Sequence, residues 1–199
     1  MEPIDQLIEF GRFAAARGWV PATGGNFSCL LPDRRIAITR SGTDKGALAP
    51  AEIAIVAPDA TLPPGLSAET PLHLGRYRAD PTVGAVLHVH SVAATVLSRA
   101  AVCAGAVVVR DYEMQKALAG IVTHEGELRI PVYPNTQDMP ALSAVVEGEL
   151  QRGGSPPGFL VAGHGLYAWG QTVTQARRHV EGFEFLFACE LEERRLTGR

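Results

Sequence analysis

Short apolar segments, separated by glycine, proline and other turn residues, run along most of this chain and limit its architecture more than any other feature. The 199 residues include 21 glycines and 14 prolines, and this content favours many turns between short elements over a helical bundle. The segments with strand character are residues 27–31, 35–39, 53–57, 84–90, 106–110, 128–133, 159–162 and 166–169.

Helical patterns alternate irregularly with these strands. The first helix is predicted to begin at Pro3 and to end near Gly18, and the last is predicted to begin near Thr172. Between them, helical patterns cover residues 71–79, 92–99, 112–119 and 139–152. Because the order lacks a regular strand–helix–strand repeat, the sequence predicts one α/β domain, residues 1–199, around a mixed sheet with helices on both faces.

Charge and cysteine content exclude several classes of function. The 18 basic and 21 acidic residues give a net charge of −3 and a pI near 6.1, which argues against a nucleic-acid partner. The three cysteines lie far apart, as expected for a protein of a reducing compartment, and we expect the cytoplasm. The longest apolar run, residues 100–109, is too short for a membrane span of about 20 residues, and the start lacks a signal-peptide pattern.

Three histidines form a candidate metal site. His88 and His90 are two residues apart in a predicted strand, so their side chains point to the same face and are able to bind one metal ion. His164, between two glycines, is the best third ligand, and three imidazoles with one open position are typical of catalytic zinc. The pattern also fits two ordinary polar residues at a strand end and a histidine in a turn. His73 is interpreted as a residue that packs or caps a short helix.

Two acids and two loops are further candidates. Glu69 precedes a predicted helix and Glu113 follows a predicted strand, and each is equally interpretable as an acid that favours a first helical turn. The loops at residues 24–26 and 41–45 are rich in glycine, serine and asparagine, and their backbone amides and Lys45 would suit a phosphate. Neither loop matches a nucleotide-binding motif, and both also fit ordinary turns.

Taken together, these motifs resemble the class II aldolase/adducin superfamily over nearly the whole chain. The matching stretches are Gly-Gly-Asn-Phe-Ser (24–28), Ser-Gly-x-x-Lys (41–45), Ser-Ala-Glu-Thr (67–70), His-x-His-Ser (88–91), Asp-Tyr-Glu (111–113) and Gly-His-Gly-Leu-Tyr-x-Trp-Gly (163–170). The resemblance implies a three-layer αβα sandwich with a mixed, largely antiparallel central sheet. It also implies a homotetramer with active sites near subunit boundaries.

The resemblance also assigns roles to individual residues. One Zn2+ per subunit would be bound by His88, His90 and His164, and Glu113 would be the catalytic acid/base. Glu69 matches a position where aldolases of the superfamily carry a glutamate near the metal, and its role here is left open. The substrate phosphate would contact residues in three loops, namely Gly25, Asn26, Ser41, Gly42, Lys45 and Ser67.

Four stretches favour a dehydratase branch of the superfamily: residues 41–46, Asp-Tyr-Glu, Pro-Asn-x-Gln-Asp (134–138) and residues 163–170. The expected reaction is zinc-dependent dehydration of a phosphorylated ketose, 5-methylthioribulose 1-phosphate, to the 2,3-diketone in methionine salvage. The alternatives are a sugar-phosphate aldolase, a pentulose-phosphate 4-epimerase, and a non-catalytic interaction domain like the adducin head. All three candidate metal histidines are present, which disfavours the interaction domain.

Overall fold

The computed structural model describes residues 1–59 and 62–198. These residues form five α-helices, eight β-strands and several short 3-10 turns. The helices are α1 (Pro3–Ala16), α2 (Thr70–Ala79), α3 (Val92–Ala101), α4 (Met139–Leu150) and α5 (Val173–Thr197). The strands are β1 (Asn26–Leu30), β2 (Ile36–Thr39), β3 (Ile53–Val56), β4 (Ala85–Val89), β5 (Ala106–Arg110), β6 (Glu127–Tyr133), β7 (Gly158–Val161) and β8 (Gly165–Gly170).

All eight strands join one sheet in the order β3-β2-β1-β4-β8-β7-β6-β5. Neighbouring strands are antiparallel except for the parallel pair β6 and β7. The predicted mixed, largely antiparallel sheet is therefore confirmed. The central pairing is that of β4 with β8, in which His88 lies opposite Tyr167 and Val89 opposite Leu166.

Helices cover both faces of the sheet, which gives the predicted three layers. On one face, Phe10 of α1, Leu97 of α3 and Phe183 of α5 pack with Leu87 of β4 in a buried cluster. On the other face the buried cluster contains α2 and α4 residues and the strand residue Val86. Because successive strand residues alternate between faces, His88 shares the α2 and α4 face with Val86. No helix of the described residues is long and apolar enough to cross a bilayer.

The segment after β5 differs from the prediction. Instead of a helix over residues 112–119, a 3-10 turn covers Glu113–Ala117 only. The backbone N–H of Ala119 donates to Nε2 of the buried His179 at 3.2 Å, so this group is not available to extend a helix. Periodicity within the segment carries no information about a bond to a residue 60 positions away.

The pairing of β4 with β8 depends on Gly165. A Cβ atom added there would lie 2.1 Å from the carbonyl oxygen of Val89, whereas one added at the exposed Gly148 of α4 would meet nothing within 4 Å. We expect Gly165→Ala to lower the free energy of unfolding by about 1–3 kcal/mol, because the two strands must separate. Gly148→Ala is the control and should raise it by about 0.5–1 kcal/mol. Urea denaturation measures both, and an unchanged midpoint for Gly165→Ala would contradict this account of the strand contact.

Candidate metal centre and anion cavity

Three imidazoles converge at one end of the β4–β8 pair. His88 is on β4, His90 follows its last residue, and His164 lies in the tight turn that joins β7 to β8. The Nε2 atom of His88 is 2.7 Å from Nε2 of His90 and 3.3 Å from Nε2 of His164. Gly163 adopts φ +65°, which allows the turn that presents His164. The structure thus brings the three predicted ligands together.

Glu69 completes this group from the start of α2. Its Oε1 lies 3.0 Å from Nε2 of His164, and its Oε2 lies 3.4 Å from Nε2 of His88. One ligand atom from each of the four residues lies within 4.8 Å of all the others. The side chain makes no cap bond to α2, so it faces the imidazoles and does not serve the helix terminus.

The donor set fits a divalent transition metal. Nδ1 of His88 lies 2.9 Å from the carbonyl oxygen of Leu166 and donates to it, which leaves Nε2 as the atom with a free lone pair. A backbone carbonyl in this position is a common orienting partner of a metal-bound histidine. Three imidazole nitrogens and one carboxylate oxygen suit Zn2+, and coordination would displace any proton shared among these close atoms.

Burial sets the charge of this group. Desolvation lowers the pKa of His88 well below its ordinary value and that of His90 to about 4, so both rings are neutral at pH 7. Burial opposes ionisation of Glu69, but hydrogen bonds from His164 and Asn26 prevail and hold the pKa of its carboxyl below the ordinary value. The two neutral imidazoles of His88 and His90 beside the ionised Glu69 carboxylate favour a cation.

A cavity of about 260 Å³ opens beside the metal group. Its walls include Glu69 and His90 as well as Arg40, which belongs to none of the motifs recognisable in the sequence. All six residues that were predicted to contact phosphate line this one cavity, namely Gly25, Asn26, Ser41, Gly42, Lys45 and Ser67. The structure therefore joins the three loops and the metal group in a single site.

Lys45 is buried under this cavity. Its side chain is almost fully inaccessible, and Nζ donates to the carbonyl oxygens of Thr23 at 3.0 Å and Thr43 at 2.8 Å. An ammonium group has three N–H donors, so one remains for an anion. Desolvation lowers the pKa of Lys45, and an anion in the cavity would offset that cost by pairing with the charge.

Asn26 has a different environment from the one predicted for a phosphate contact. Its Nδ2 donates to Oε2 of Glu69 at 2.5 Å, and its Oδ1 lies 2.6 Å from Nε2 of His73. Nδ2 also donates to Oγ of Ser67 at 3.4 Å, so the amide is bound to three protein groups, and a contact with phosphate would have to replace one of these bonds. The interpretation of His73 as a packing residue missed this bond, because strand and helix periodicity cannot show which polar groups meet.

Tyr167 also belongs to the centre without having been selected from the sequence. Its ring stacks on His88 with 3.8 Å between ring centroids and 12° between planes. Tyr167 is fully buried opposite His88 in the β4–β8 register. Because side chains alternate between the two faces along β8, Tyr167 lies on the same face of the sheet as His88. The Gly-His-Gly-Leu-Tyr stretch contains the information needed to predict this position.

Glu113 lies outside this group in the single chain. Its side chain is 69% exposed, forms an ion pair with Lys116, lies 3.3 Å from Nδ1 of His124 and does not line the cavity. The hydrogen bond from Lys116 lowers the pKa of the Glu113 carboxyl. Within one chain the structure does not bring the predicted acid to the metal group.

Comparison with known proteins identifies a family and a group of similar relatives. The family described as Class II Aldolase and Adducin N-terminal domain matches residues 5–191. The chain is 51% identical over 190 residues to methylthioribulose-1-phosphate dehydratase of Methylococcus capsulatus, covering 93% of this chain and 91% of that protein. It is 50% identical over 205 residues to the protein of the same name from Pectobacterium carotovorum, covering 100% and 98%. The fold is similar to that of L-fuculose-1-phosphate aldolase from Thermus thermophilus, with a TM-score of 0.79, 25% identity and coverage of 98% and 95%.

The geometry predicts that metal binding stabilises the folded chain. At 100 times the dissociation constant, Zn2+ should add about 2.7 kcal/mol to the free energy of unfolding, and His88→Ala should abolish most of this gain. His124→Ala, which removes a half-exposed histidine outside the group, is the matched control and should keep it. Thermal unfolding with and without Zn2+ measures the effect. Equal stabilisation of the wild type and His88→Ala would place the metal elsewhere.

Proposed function

The chain belongs to the class II aldolase and adducin family, and we propose that it is a lyase that dehydrates 5-methylthioribulose 1-phosphate to 2,3-diketo-5-methylthiopentyl 1-phosphate. Relatives that carry the dehydratase name are about half identical to it over almost their full lengths. The observation that carries the chemistry is the junction of the His/Glu group and the Lys45 loops at one cavity. In the proposed substrate the phosphate on C1 is next to the ketone at C2. Such a substrate needs an anion site for the phosphate directly beside a metal site for the ketone.

We assign the metal as zinc, held by His88, His90 and His164 with Glu69 beside them. When bound there, zinc supplies Lewis-acid polarisation of the ketone oxygen. The chain's own contribution is to fix the imidazoles: Leu166 orients His88 through its carbonyl, and Tyr167 stacks against the same ring. These contacts fix the orientation of the His88 ring and keep the centre rigid while the substrate changes.

The phosphate on C1 would occupy the cavity above Lys45. One N–H of the Lys45 ammonium is available, and Gly25, Ser41 and Gly42 line the cavity wall. The backbone N–H of Ser41 already donates to the carbonyl oxygen of Gly65, so Ser41 would contact the phosphate through its hydroxyl. Arg40 adds a second positive charge on the wall. Because Glu69 and His90 line the same cavity, anchoring C1 there sets the C2 ketone and the C3 carbon next to the metal group.

The reaction moves two protons. A base removes the proton from C3, and the C4 hydroxyl leaves with a proton as water, because hydroxide alone is a poor leaving group. The product enol at C3 and C4 then becomes the 2,3-diketone. We assign Glu113 as the acid that donates to the departing hydroxyl. Because Lys116 lowers the pKa of this carboxyl in the single chain, the carboxylate must first take up a proton, and the proton removed from C3 is a source for it. Glu69 is the carboxylate of the metal group.

An acid must lie within hydrogen-bond reach of the proton that it transfers. Glu113 is solvent-exposed and lies outside its own chain's cavity, so we propose that it acts in the cavity of a neighbouring copy. A homotetramer with sites at subunit boundaries provides this arrangement. We further propose that the protein acts in methionine salvage, in the cytoplasm.

An assay of the purified protein tests the proposed function. With 5-methylthioribulose 1-phosphate and Zn2+ we expect diketone formation. His88→Ala removes one metal ligand, so the rate of diketone formation should fall by at least about 100-fold. L-Fuculose 1-phosphate serves as the second substrate, since the fold is shared with an aldolase for it. Retro-aldol cleavage without dehydration would transfer the assignment to an aldolase.

Replacement of Glu113 should separate metal binding from turnover. We expect Glu113→Gln to bind Zn2+ as the wild type does and to lower kcat by about 100- to 10,000-fold, because the amide cannot donate the acidic proton. Glu125→Gln, on the same exposed loop, is the matched control and should keep its turnover. Full activity of Glu113→Gln would remove Glu113 from the mechanism.

Mixed assemblies test whether Glu113 acts across a subunit boundary. His88→Ala and Glu113→Gln chains, each inactive alone, should regain roughly a quarter of wild-type activity when co-expressed in equal amounts. In that mixture a working site needs an intact metal group from one chain and an intact acid from its neighbour. Mixed assemblies that stay inactive would show that both groups must belong to one chain.

A further inference from the structure

A line of hydrogen-bonded polar side chains leads from Glu69 into the interior between β1 and α2. In order from Glu69, its members are Asn26, His73, Ser28 and Tyr77. Asn26 contacts Glu69 at 2.5 Å and His73 at 2.6 Å, and its Nδ2 makes a longer contact of 3.4 Å with Oγ of Ser67. Nδ1 of His73 lies 2.7 Å from Oγ of Ser28, and this Oγ lies 2.9 Å from the hydroxyl of Tyr77. The four residues beyond Glu69 are buried, and His73 and Ser28 are completely inaccessible.

Regular structure aligns the two sides of this line. Glu69, His73 and Tyr77 are spaced four residues apart, so they share one side of α2. Asn26 and Ser28 are two residues apart on β1 and share one face, and in the β1–β4 register Asn26 lies opposite His88. The line therefore ends directly beside the metal group.

Hydrogen-bond chemistry fixes the direction of each bond. An ionised carboxylate only accepts, so Asn26 presents Nδ2 to Glu69 and Oδ1 to His73. That Oδ1 requires a donor, which makes Nε2 the protonated nitrogen of His73 and Nδ1 an acceptor. Ser28 then donates to Nδ1, and Tyr77 donates to Ser28. Burial lowers the pKa of His73 to about 4, and the neutral ring satisfies every bond in this order.

We propose that His73 is a positioning residue: its Nε2–H fixes the orientation of the Asn26 amide and, through that amide, the Glu69 carboxylate at the metal group. Without this donor the Asn26 amide is able to turn, and its oxygen would then face the carboxylate and repel it. Glu69 would leave the position in which it lies 3.0 Å and 3.4 Å from the two imidazoles. This inference deepens the proposed function and rests on the metal centre that it assigns.

Two substitutions of His73 separate the donor from the space that the ring fills. In His73→Gln the amide nitrogen reaches about as far as Nε2 and retains a donor for Asn26. In His73→Asn the shorter amide ends near the position of Nδ1 and reaches Ser28 only. Tyr77→Phe is the control, because it removes the last hydroxyl of the line and leaves Ser28 free to donate to His73.

The experiment measures Zn2+ affinity by competition with a chelator, and the visible absorption of bound Co2+, on the full chain. We expect His73→Asn to weaken Zn2+ binding by about 10-fold and to change the Co2+ spectrum, as loss of an orienting partner does at metal sites. His73→Gln and Tyr77→Phe should stay within about threefold of the wild type, with its spectrum.

Two results would overturn the proposal. One is a folded His73→Asn protein with wild-type Zn2+ affinity and Co2+ spectrum. The other is a loss of Zn2+ affinity in His73→Gln as large as that in His73→Asn, accompanied by a lower unfolding temperature in both variants. That result would make His73 a purely structural residue. A wild-type chain that binds no metal would instead remove the metal centre itself, so failure of the two proposals is distinguishable without any substrate.

Discussion

The site depends on the antiparallel pairing of β4 with β8. In this register Val89 lies opposite Leu166, so the end of β4 that carries His88 and His90 meets the turn that carries His164. Residues 76 positions apart in the sequence thus place their Nε2 atoms 3.3 Å from each other. A shift of one residue would turn His88 to the opposite face of the sheet and separate the three rings. The backbone contact at Gly165 permits the close approach that holds this register.

Convergent imidazoles and a carboxylate are unfavourable in a folded chain unless other interactions support them. The apolar residues on both faces of the sheet provide that support, since helices bury the faces around Leu87 and Val86. Burial also keeps the rings of His88 and His90 neutral. It disfavours the charged form of Lys45, and an anion in the cavity would offset that cost. The centre is therefore arranged for two charges from outside the chain, a cation at the histidines and an anion at Lys45.

Much of this was predictable from the sequence, because local patterns carry it. Strand alternation predicted the sheet segments, and the spacing of His88 and His90 predicted a shared face. The residues that escaped prediction act through distant partners. His73 is recognisable as part of the site only when α2 lies on β1, and the bond from Ala119 to His179, which ends the predicted helix early, joins segments far apart in the sequence. The surface position of Glu113 likewise depends on the fold and on the assembly, which periodicity within one chain does not describe.

The most direct test of the metal centre is X-ray absorption spectroscopy at the zinc edge of the purified protein loaded with one equivalent of Zn2+. The account predicts three imidazole nitrogens at about 2.0–2.1 Å and oxygen in the remaining coordination, with Glu69→Gln altering the oxygen shell alone. A sulfur ligand at about 2.3 Å, or fewer than three imidazoles, would contradict it, because the metal would then lie outside the group formed by His88, His90 and His164.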